Sequence, residues 1–337
     1  MDRLALFSVL ALVGCQVSSE TAPATPEAVT REPALALHAD RDAPAEHCVG
    51  KLNVCSVENS PQVTRRQVAL RCERTRPVNW ELLGCLINLR GLHLEGDHVD
   101  DVLVLGQLPH LSQLYLDDTR VETLTPLSGL SGMEYLMARD TPLSDIEFAR
   151  KWRGLKSLHL ERTNVTSLDG LNSPKTLKHL RVSGGPLVDI QAIARHPNLI
   201  QLRLNYTQVT NLEPLRSLLA LEELQLRDGL IEDLSPLGEL RSLKKLYLVG
   251  SAAKDLTPLA GLDSLAELDI SSTQVSDISP LSKLSSLRRL HMDETKVTDL
   301  SPLCEMPGLE VVWLHGIPAP EQELTRVKEL CPSVQGF

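Results

Sequence analysis

The chain has 337 residues, of which 42% are hydrophobic but only 3% aromatic, and its formal net charge is −10. This length allows two ordinary domains or one long repetitive domain, with a core that is mainly aliphatic. The negative charge argues against general nucleic-acid binding, for which a basic stripe is the usual footprint, so we expect no nucleic-acid partner. No apolar run reaches the roughly 18 residues that a membrane-spanning helix needs.

The N-terminus is typical of a secretion signal. Residues 1–14 contain a short charged start followed by an apolar stretch at 4–13, which is the usual length of a signal core. The residues LVGC at 12–15 resemble the bacterial lipobox, whose cysteine becomes the lipidated N-terminus. This resemblance implies an exported protein that contacts the membrane only through a lipid on Cys15. Gln16, which follows it, implies the outer membrane of a Gram-negative bacterium. An ordinary signal peptide is the alternative.

Residues 15–47 are dominated by alanine, proline, glutamate and threonine and contain no aromatic residue. Such a composition does not bury enough apolar surface to offset the entropy of ordering, so we expect a flexible tether after the lipidated cysteine. Fully extended, a tether of this length reaches on the order of 100 Å.

Six further cysteines follow the tether. An even number of cysteines in an exported chain suggests disulfides. Metal binding is the alternative, but no CxxC pairs with a second CxxC or with an HxxxH, so we expect neither a metal nor another cofactor. The four N-terminal cysteines allow three connectivities, whereas the two C-terminal cysteines form a natural pair. The candidates are Cys48, Cys55, Cys72, Cys85, Cys304 and Cys331.

A 22-residue repeat organises most of the chain. A leucine (once a methionine, Met133) recurs in a single register with no insertion or deletion from Leu89 to Leu309, which defines eleven coils. We number the coils from 1 to 11 and the places within each coil from its first leucine. Each coil begins L-x-x-L-x-L, as at Leu243, Leu246 and Leu248, and this pattern predicts a short strand with its leucines facing inward.

The second half of a coil commonly reads D-[LI]-[ST]-P-L, as at residues 277–281. Here we expect Ser279 to cap a short turn and Pro280 to occupy its first position, where the missing N–H costs nothing. Apolar residues three apart fit one or two turns of 3₁₀ geometry. Place 9 is usually Thr, Ser or Gly.

These features resemble the leucine-rich-repeat family, in the 22-residue class seen in internalin-like bacterial surface proteins and in cytoplasmic phosphatase regulators. The resemblance implies an α/β solenoid with a curved parallel β-sheet on its concave side and short helical or 3₁₀ turns on its convex side. The family usually places asparagine at place 9, where its amide bonds neighbouring loops. We therefore expect the hydroxyls found here to form a thinner ladder between coils.

The two ends are expected to be disulfide-stapled caps, because a solenoid needs its terminal core shielded. Residues 48–88 form the predicted N-terminal cap, residues 89–316 the eleven coils, of which the last is incomplete, and residues 317–337 the C-terminal cap. Within the last, residues 320–330 read as an amphipathic helix, with a final strand near Val334. The apolar face of that helix is expected to consist of Leu324, Val327 and Leu330.

Places 3, 5 and 7 of each strand alternate with the leucines and should face outward on the concave side. Cations concentrate in the middle coils, with histidines among them and tyrosines beside them, whereas carboxylates lie toward both ends. Guanidinium groups beside aromatic rings favour protein interfaces and carboxylate- or phosphate-bearing ligands, although a merely solvated sheet face is the alternative. The candidate binding residues are Tyr135, Arg139, His159, His179, Arg181, Arg203, Arg227, Lys245 and Tyr247.

Catalytic motifs are absent from the sequence: it has no GxSxG, no HExxH and no phosphate-binding loop. Histidines with nearby carboxylates do occur, for example His159 with Glu161 and His291 with Asp293, but no nucleophile accompanies them, so we do not expect an enzyme. The leading hypothesis is a lipid-anchored envelope protein that recognises a protein or a glycan through its concave face. A structural tether without a discrete ligand is one alternative. A cytoplasmic regulator is another, if the N-terminus is not a signal.

Overall fold

The computed structural model describes residues 55–57, 68–72, 83, 86–332 and 334–336. The predicted signal at 1–14 and tether at 15–47, with Cys15, lie outside the described residues, as do Cys48 and Cys85 of the predicted cap. Across the described ranges, no helix is both long and apolar enough to cross a membrane.

The described strands form one sheet in which spatial order follows chain order from β1 to β13. β1 and β2 are antiparallel, and all later neighbours are parallel. From β3 onward the register pairs residues 22 apart, so equivalent places in successive coils lie side by side. The strands are Cys55–Val57, Val68–Cys72, Leu89–His93, Gln113–Tyr115, Tyr135–Met137, Ser157–His159, His179–Arg181, Gln201–Arg203, Glu223–Gln225, Lys245–Tyr247, Glu267–Asp269, Arg289–His291 and Val311–Trp313.

Short turns form the side of most coils opposite the sheet. They are 3₁₀ turns, as expected from apolar residues three apart, except in two coils. Coil 4 has no such element and pairs Ser167 with Asp189 in an isolated bridge. Coil 10 has the short helix α1 at Pro302–Glu305, and helix α2 at Glu321–Leu330 follows the last strand. The 3₁₀ turns are Leu103–Gln107, Thr125–Leu127, Glu147–Lys151, Gln191–Arg195, Glu213–Ser217, Ser235–Leu237, Thr257–Leu259 and Ser279–Leu281. The predicted leucine-rich-repeat solenoid is thereby confirmed.

The core is a continuous column of aliphatic side chains between the sheet and the turns. Leu268 of one coil and Leu290 of the next are adjacent in register and completely buried. Burying a leucine is worth about 1.5–3 kcal/mol, and each coil obtains this only from its neighbours. Trp152, the largest buried side chain, also donates its indole N–H to the carbonyl of Leu127 in the preceding coil at 3.1 Å.

The hydroxyls at place 9 do not bridge coils as expected. Thr119 and Thr273, both buried, donate instead to the carbonyl three residues earlier in their own coil, at 2.8 and 2.6 Å. A threonine hydroxyl is too short to reach the neighbouring loop. The bonds between coils here come from backbone amides, such as Asp118 N–H to the Arg139 carbonyl at 2.9 Å.

Place 8 of every coil has a positive φ. Four of these residues are glycines (Gly96, Gly184, Gly250 and Gly316), but the others have side chains, among them Ser272 with φ 57° and Tyr206 with φ 56°. The left-handed conformation costs an L-residue roughly 1–2 kcal/mol, which glycine avoids.

The predicted serine cap of the convex turns is wrong. Ile278, not Ser279, precedes the turn, and no side-chain cap comes from it. Asp277 accepts a hydrogen bond from the Ser279 backbone N–H at 2.8 Å. In three other coils, the aspartate two residues earlier in the chain accepts the backbone N–H of Ser235, Thr257 or Ser301 in the same way. The carboxylate has the reach and charge to satisfy an N–H that the first turn leaves without a partner.

The two ends differ from the coils between them. The register of β1 and β2 places Cys55 opposite Cys72. At the other end a disulfide joins Cys304 to Cys331, with 5.3 Å between their Cα atoms. Helix α2 buries Val327 and partly buries Leu324, but Leu330 is 64% exposed and is not part of the predicted apolar face. Gln335, rather than Val334, makes the final bridge to Val311.

The corrected cap makes a testable prediction. Asp277→Ala should lower the free energy of unfolding by about 1 kcal/mol, because it leaves the Ser279 N–H without its acceptor. Ser279→Ala, the matched control, should change it by less than about 0.5 kcal/mol. Urea denaturation followed by circular dichroism measures both. An equal loss in the two variants would show that the serine shares the capping role.

Candidate interaction surface on the concave sheet

The outward places form a regular grid of side chains, because each strand lies in 22-residue register with the next. Places 3 and 5 are mostly half-buried rather than freely solvated: His179, Arg181, Gln201 and Arg203 are all intermediate in exposure. Neighbouring strands are about 4.8 Å apart, so side chains of adjacent coils compete for the same volume and shield one another. Charges on this face are therefore partly desolvated.

The first predicted cation is neutralised within the sheet. Arg139 donates Nε and Nη2 to Oδ2 of Asp117 at 3.1 and 2.6 Å, and its backbone N–H bonds Oδ1 of the same residue at 2.9 Å. The hydrogen bonds that Arg139 donates to Asp117 raise the pKa of its guanidinium. Beside it, the Lys156 ammonium lies 2.8 Å from Glu134 and 5.8 Å from the ring centre of Tyr135.

Arg181, in the middle of the sheet, has a different environment. Its Nε and Nη2 donate to one neutral acceptor, Oε1 of Gln201, at 3.3 and 3.0 Å. No carboxylate among the described residues forms an ion pair with it. Burial lowers the pKa of Arg181, and the neighbouring guanidinium of Arg203 lowers it further. The carboxylates of Glu161 and Glu223, which form no ion pair with Arg181, act on this pKa in the opposite direction and only partly offset the lowering.

The next cations are only partly compensated. Arg203 donates Nη2 to Glu223 at 3.1 Å, but its Nε is buried without an acceptor. Arg227 lies 3.9 Å from Asp269 and 4.9 Å above the ring of Tyr247, and its Nε is likewise unsatisfied. We define Arg181 and Arg203, with Arg227 beside them, as the central cationic patch.

Tyr247 and Lys245 lie at the edge of this patch. The Tyr247 hydroxyl donates to Glu267 at 2.7 Å, and burial together with that bond raises the pKa of the phenol. Glu267 also accepts from Arg289 at 2.7 Å, whereas Lys245 is exposed. The carboxylates that looked in sequence like acidic ends thus reach inward and bond the outer members of the predicted set.

The two predicted histidines are uncharged neighbours of the patch. Burial, together with Arg181 and Arg139, lowers the pKa of His159 to about 4. Burial and Arg181 lower the pKa of His179 in the same direction. Burial raises the pKa of Glu161, whose Oε2 is buried without a hydrogen-bond partner.

The two candidate acid–base pairs have other contacts. His159 Nε2 lies 3.1 Å from the hydroxyl of Ser157, and His291 stacks on Trp313 with ring centres 3.7 Å apart. Asp293 accepts the backbone N–H of His315 at 2.7 Å. Within the described residues, no group of three or more His, Cys, Asp or Glu side chains is arranged to hold a metal ion.

Sequence reasoning did not single out Gln201 or the His291–Trp313 stack. Gln201 carries no charge, so a search of the sequence for charged and aromatic residues does not find it, yet it is the hydrogen-bond partner of Arg181. Trp313 is 36% exposed in the last strand. An aromatic residue at an outward place was the available signal.

The family model for leucine-rich repeats, described as two copies, matches residues 263–305. That match falls within coils whose register the structure continues in both directions. The chain is a leucine-rich-repeat protein. No curated protein matches this leucine-rich-repeat chain in sequence.

Solved structures share its fold. An internalin (inlF) of Listeria monocytogenes superposes with a TM-score of 0.74 at 24% identity, covering 80% of this chain and 79% of that one. A leucine-rich-repeat protein of Leptospira interrogans gives 0.59 at 19% identity, with 80% and 83% covered. A plant peptide hormone receptor, RGFR1, solved with RGF2, gives 0.60 at 17% identity, with 77% and 48% covered. These likenesses concern the fold.

The lowered pKa of His159 predicts acid sensitivity. An unfolded histidine binds its proton near pH 6.5, whereas folded His159 does so only near pH 4. Between these values the unfolded chain binds more protons, so the free energy of unfolding should fall as the pH drops from about 6.5 to about 4. His159→Gln should lessen this fall, and exposed His110→Gln should not. Urea denaturation at pH 7 and pH 4.5 tests it; equal acid sensitivity in all three proteins would contradict it.

Proposed function

We propose that this protein is exported, anchored by a lipid on Cys15, and recognises a protein partner at the cell envelope through the concave face. A leucine-rich-repeat fold by itself suggests protein–protein recognition, because it offers a rigid, extended and curved surface. The fold does not choose the site, so the proposal depends on particular residues.

The observation that carries the proposal is the charge of the central cationic patch. A partly buried guanidinium loses hydration, and a carboxylate or other acceptor is needed to compensate for it. Arg139 has Asp117 for this purpose, but Arg181 has the neutral oxygen of Gln201. A carboxylate from a partner would supply the missing charge and form the forked hydrogen bonds that guanidinium groups favour.

The geometry favours a protein over a small molecule. The patch lies on an open sheet and extends across three coils, from Arg181 through Arg203 to Arg227. The ring of Tyr247 lies beside the last of these. Arginine and tyrosine are enriched where protein interfaces have their largest energetic contributions.

Charge reversal of the patch tests the recognition role. Arg181→Glu, Arg203→Glu and Arg227→Glu together should abolish capture of an envelope protein by the purified full chain. The matched control reverses three exposed arginines elsewhere, Arg153, Arg195 and Arg241, and should retain capture at the same net charge. Pull-down from envelope extracts with quantitative mass spectrometry measures the difference. Capture that survives in the patch variant would refute the concave site.

Lipid attachment is tested separately from recognition. The full chain produced in a Gram-negative host should incorporate labelled palmitate, and Cys15→Ala should abolish the label while the protein is still made. On membrane fractionation, the wild-type protein should be found in the membrane fraction and the Cys15→Ala variant outside it. Palmitate labelling that persists in Cys15→Ala, or no labelling of either protein, would contradict the proposed anchor.

A further inference from the structure

Tyr206 combines an unfavourable backbone with an exposed side chain. It occupies place 8 of coil 6 with φ 56°, and 59% of its surface is exposed. A bulky residue at positive φ is a genuine outlier, whereas glycine, which stands at this place in coils 5 and 8, adopts it freely. The ring is not part of the core column, so folding does not require it.

The phenol of Tyr206 has a carboxylate neighbour. Asp228, at place 8 of the next coil, raises the pKa of the Tyr206 hydroxyl. The backbone N–H of Tyr206 donates to the carbonyl of Arg227 at 2.8 Å. The backbone of Tyr206 is thus fixed to the next coil, and its ring presents its surface to solvent.

Other exposed apolar side chains lie on the same rim of the solenoid. Val188 is 57% exposed in the loop of coil 5, and Leu230 is 55% exposed in the loop of coil 7. With exposed Pro186 and Tyr206 they make up the rim patch, which spans three consecutive coils. Places 8 and 10 of some other coils carry exposed charges instead: Arg120, Arg162, Glu294 and Lys296.

The rim patch meets the central cationic patch at Tyr206, whose backbone N–H donates to the carbonyl of Arg227 at 2.8 Å. Arg181 and Arg203 belong to coils 5 and 6, the coils that also supply Val188 and Tyr206. Arg181 and Arg203 stand at place 5 of their coils and Arg227 stands at place 7. The chain enters the rim at place 8, so the apolar rim begins where the cationic rows end. An incompletely neutralised guanidinium and an exposed apolar ledge therefore form one continuous surface.

We propose that the rim patch and Arg181 together bind a protein segment in which a carboxylate stands next to an apolar side chain. The carboxylate pairs with the Arg181 guanidinium, which has no carboxylate in ion-pair contact among the described residues, and the apolar side chain covers Tyr206 and Leu230. Rigid aromatic anchors beside desolvated charges are the usual centres of protein interfaces. Backbone strain retained at an exposed position is consistent with selection for contact rather than for folding. This inference rests on the proposed recognition function and names its partner's chemistry.

The probe is a phage library of random 12-residue peptides, selected on the immobilised full chain. The selected peptides should share an aspartate or glutamate adjacent to a leucine, isoleucine or aromatic residue. Each is then resynthesised with asparagine or glutamine in place of the acid, and affinities are measured by fluorescence anisotropy. Loss of the acid should weaken binding at least tenfold to the wild-type chain.

Four variants separate binding from folding. Tyr206→Gly should weaken the selected peptides at least tenfold while the melting temperature stays the same or rises, since the substitution relieves the positive φ. Arg181→Gln should weaken them similarly and abolish the difference between acid and amide peptides. Ser272→Gly, which relieves the same backbone position in coil 9, and Leu219→Ser, which removes an exposed leucine elsewhere, should leave affinity unchanged.

The possible failures are distinguishable. If the peptides need Arg181 but bind Tyr206→Gly normally, the rim patch is not part of the binding site, while recognition through the concave face is still supported. Peptides that ignore both substitutions would overturn both proposals. A consensus without an acidic residue would overturn the carboxylate assignment. If the wild-type chain is dimeric by light scattering and Tyr206→Gly is monomeric, a second copy occupies the rim and the peptide-segment proposal is wrong.

Discussion

The structure depends on the mutual burial of leucines between successive coils. A single 22-residue coil has one apolar side and no partner of its own, so it gains the stabilisation of about 1.5–3 kcal/mol per leucine only when another coil covers it. Leu268 and Leu290 show this dependence, because each is fully buried by the coils on either side. An insertion of even one residue would break the register of every outward row.

Two further constraints fix the path of each coil and limit which residues are free to serve function. Place 8 must adopt a positive φ, and an aspartate ahead of the convex turn must accept an N–H, as Asp277 does. Most coils satisfy the first constraint with residues that tolerate it. Tyr206, like Arg162 and Glu294, does not follow this tendency. It is the aromatic exception, and it stands on the rim beside Arg227.

Electrostatics on the concave face is decided by pairing between coils rather than by composition. The chain carries a net charge of −10, yet Arg181 has no carboxylate bonded to it among the described residues. Arg139, equally basic in sequence, is fully engaged by Asp117. Neighbouring strands partly desolvate the side chains between them, so a cation on this face needs a compensating charge. An arginine bonded to a carboxylate already has that charge, whereas an arginine bonded only to a neutral group suits an anionic partner.

The sequence by itself determined the fold, because an uninterrupted 22-residue period admits one arrangement in which the leucines that recur at places 1, 4 and 6 are buried. It also determined which places face outward, from Tyr135 in β5 to Tyr247 in β10, since side chains alternate along a strand. Only the tertiary structure decided which cations are neutralised, that Gln201 rather than an acid contacts Arg181, and that Asp277 rather than Ser279 caps the turn. These outcomes depend on side-chain reach between coils, and a one-dimensional pattern of residue types contains the spacing but not the distances.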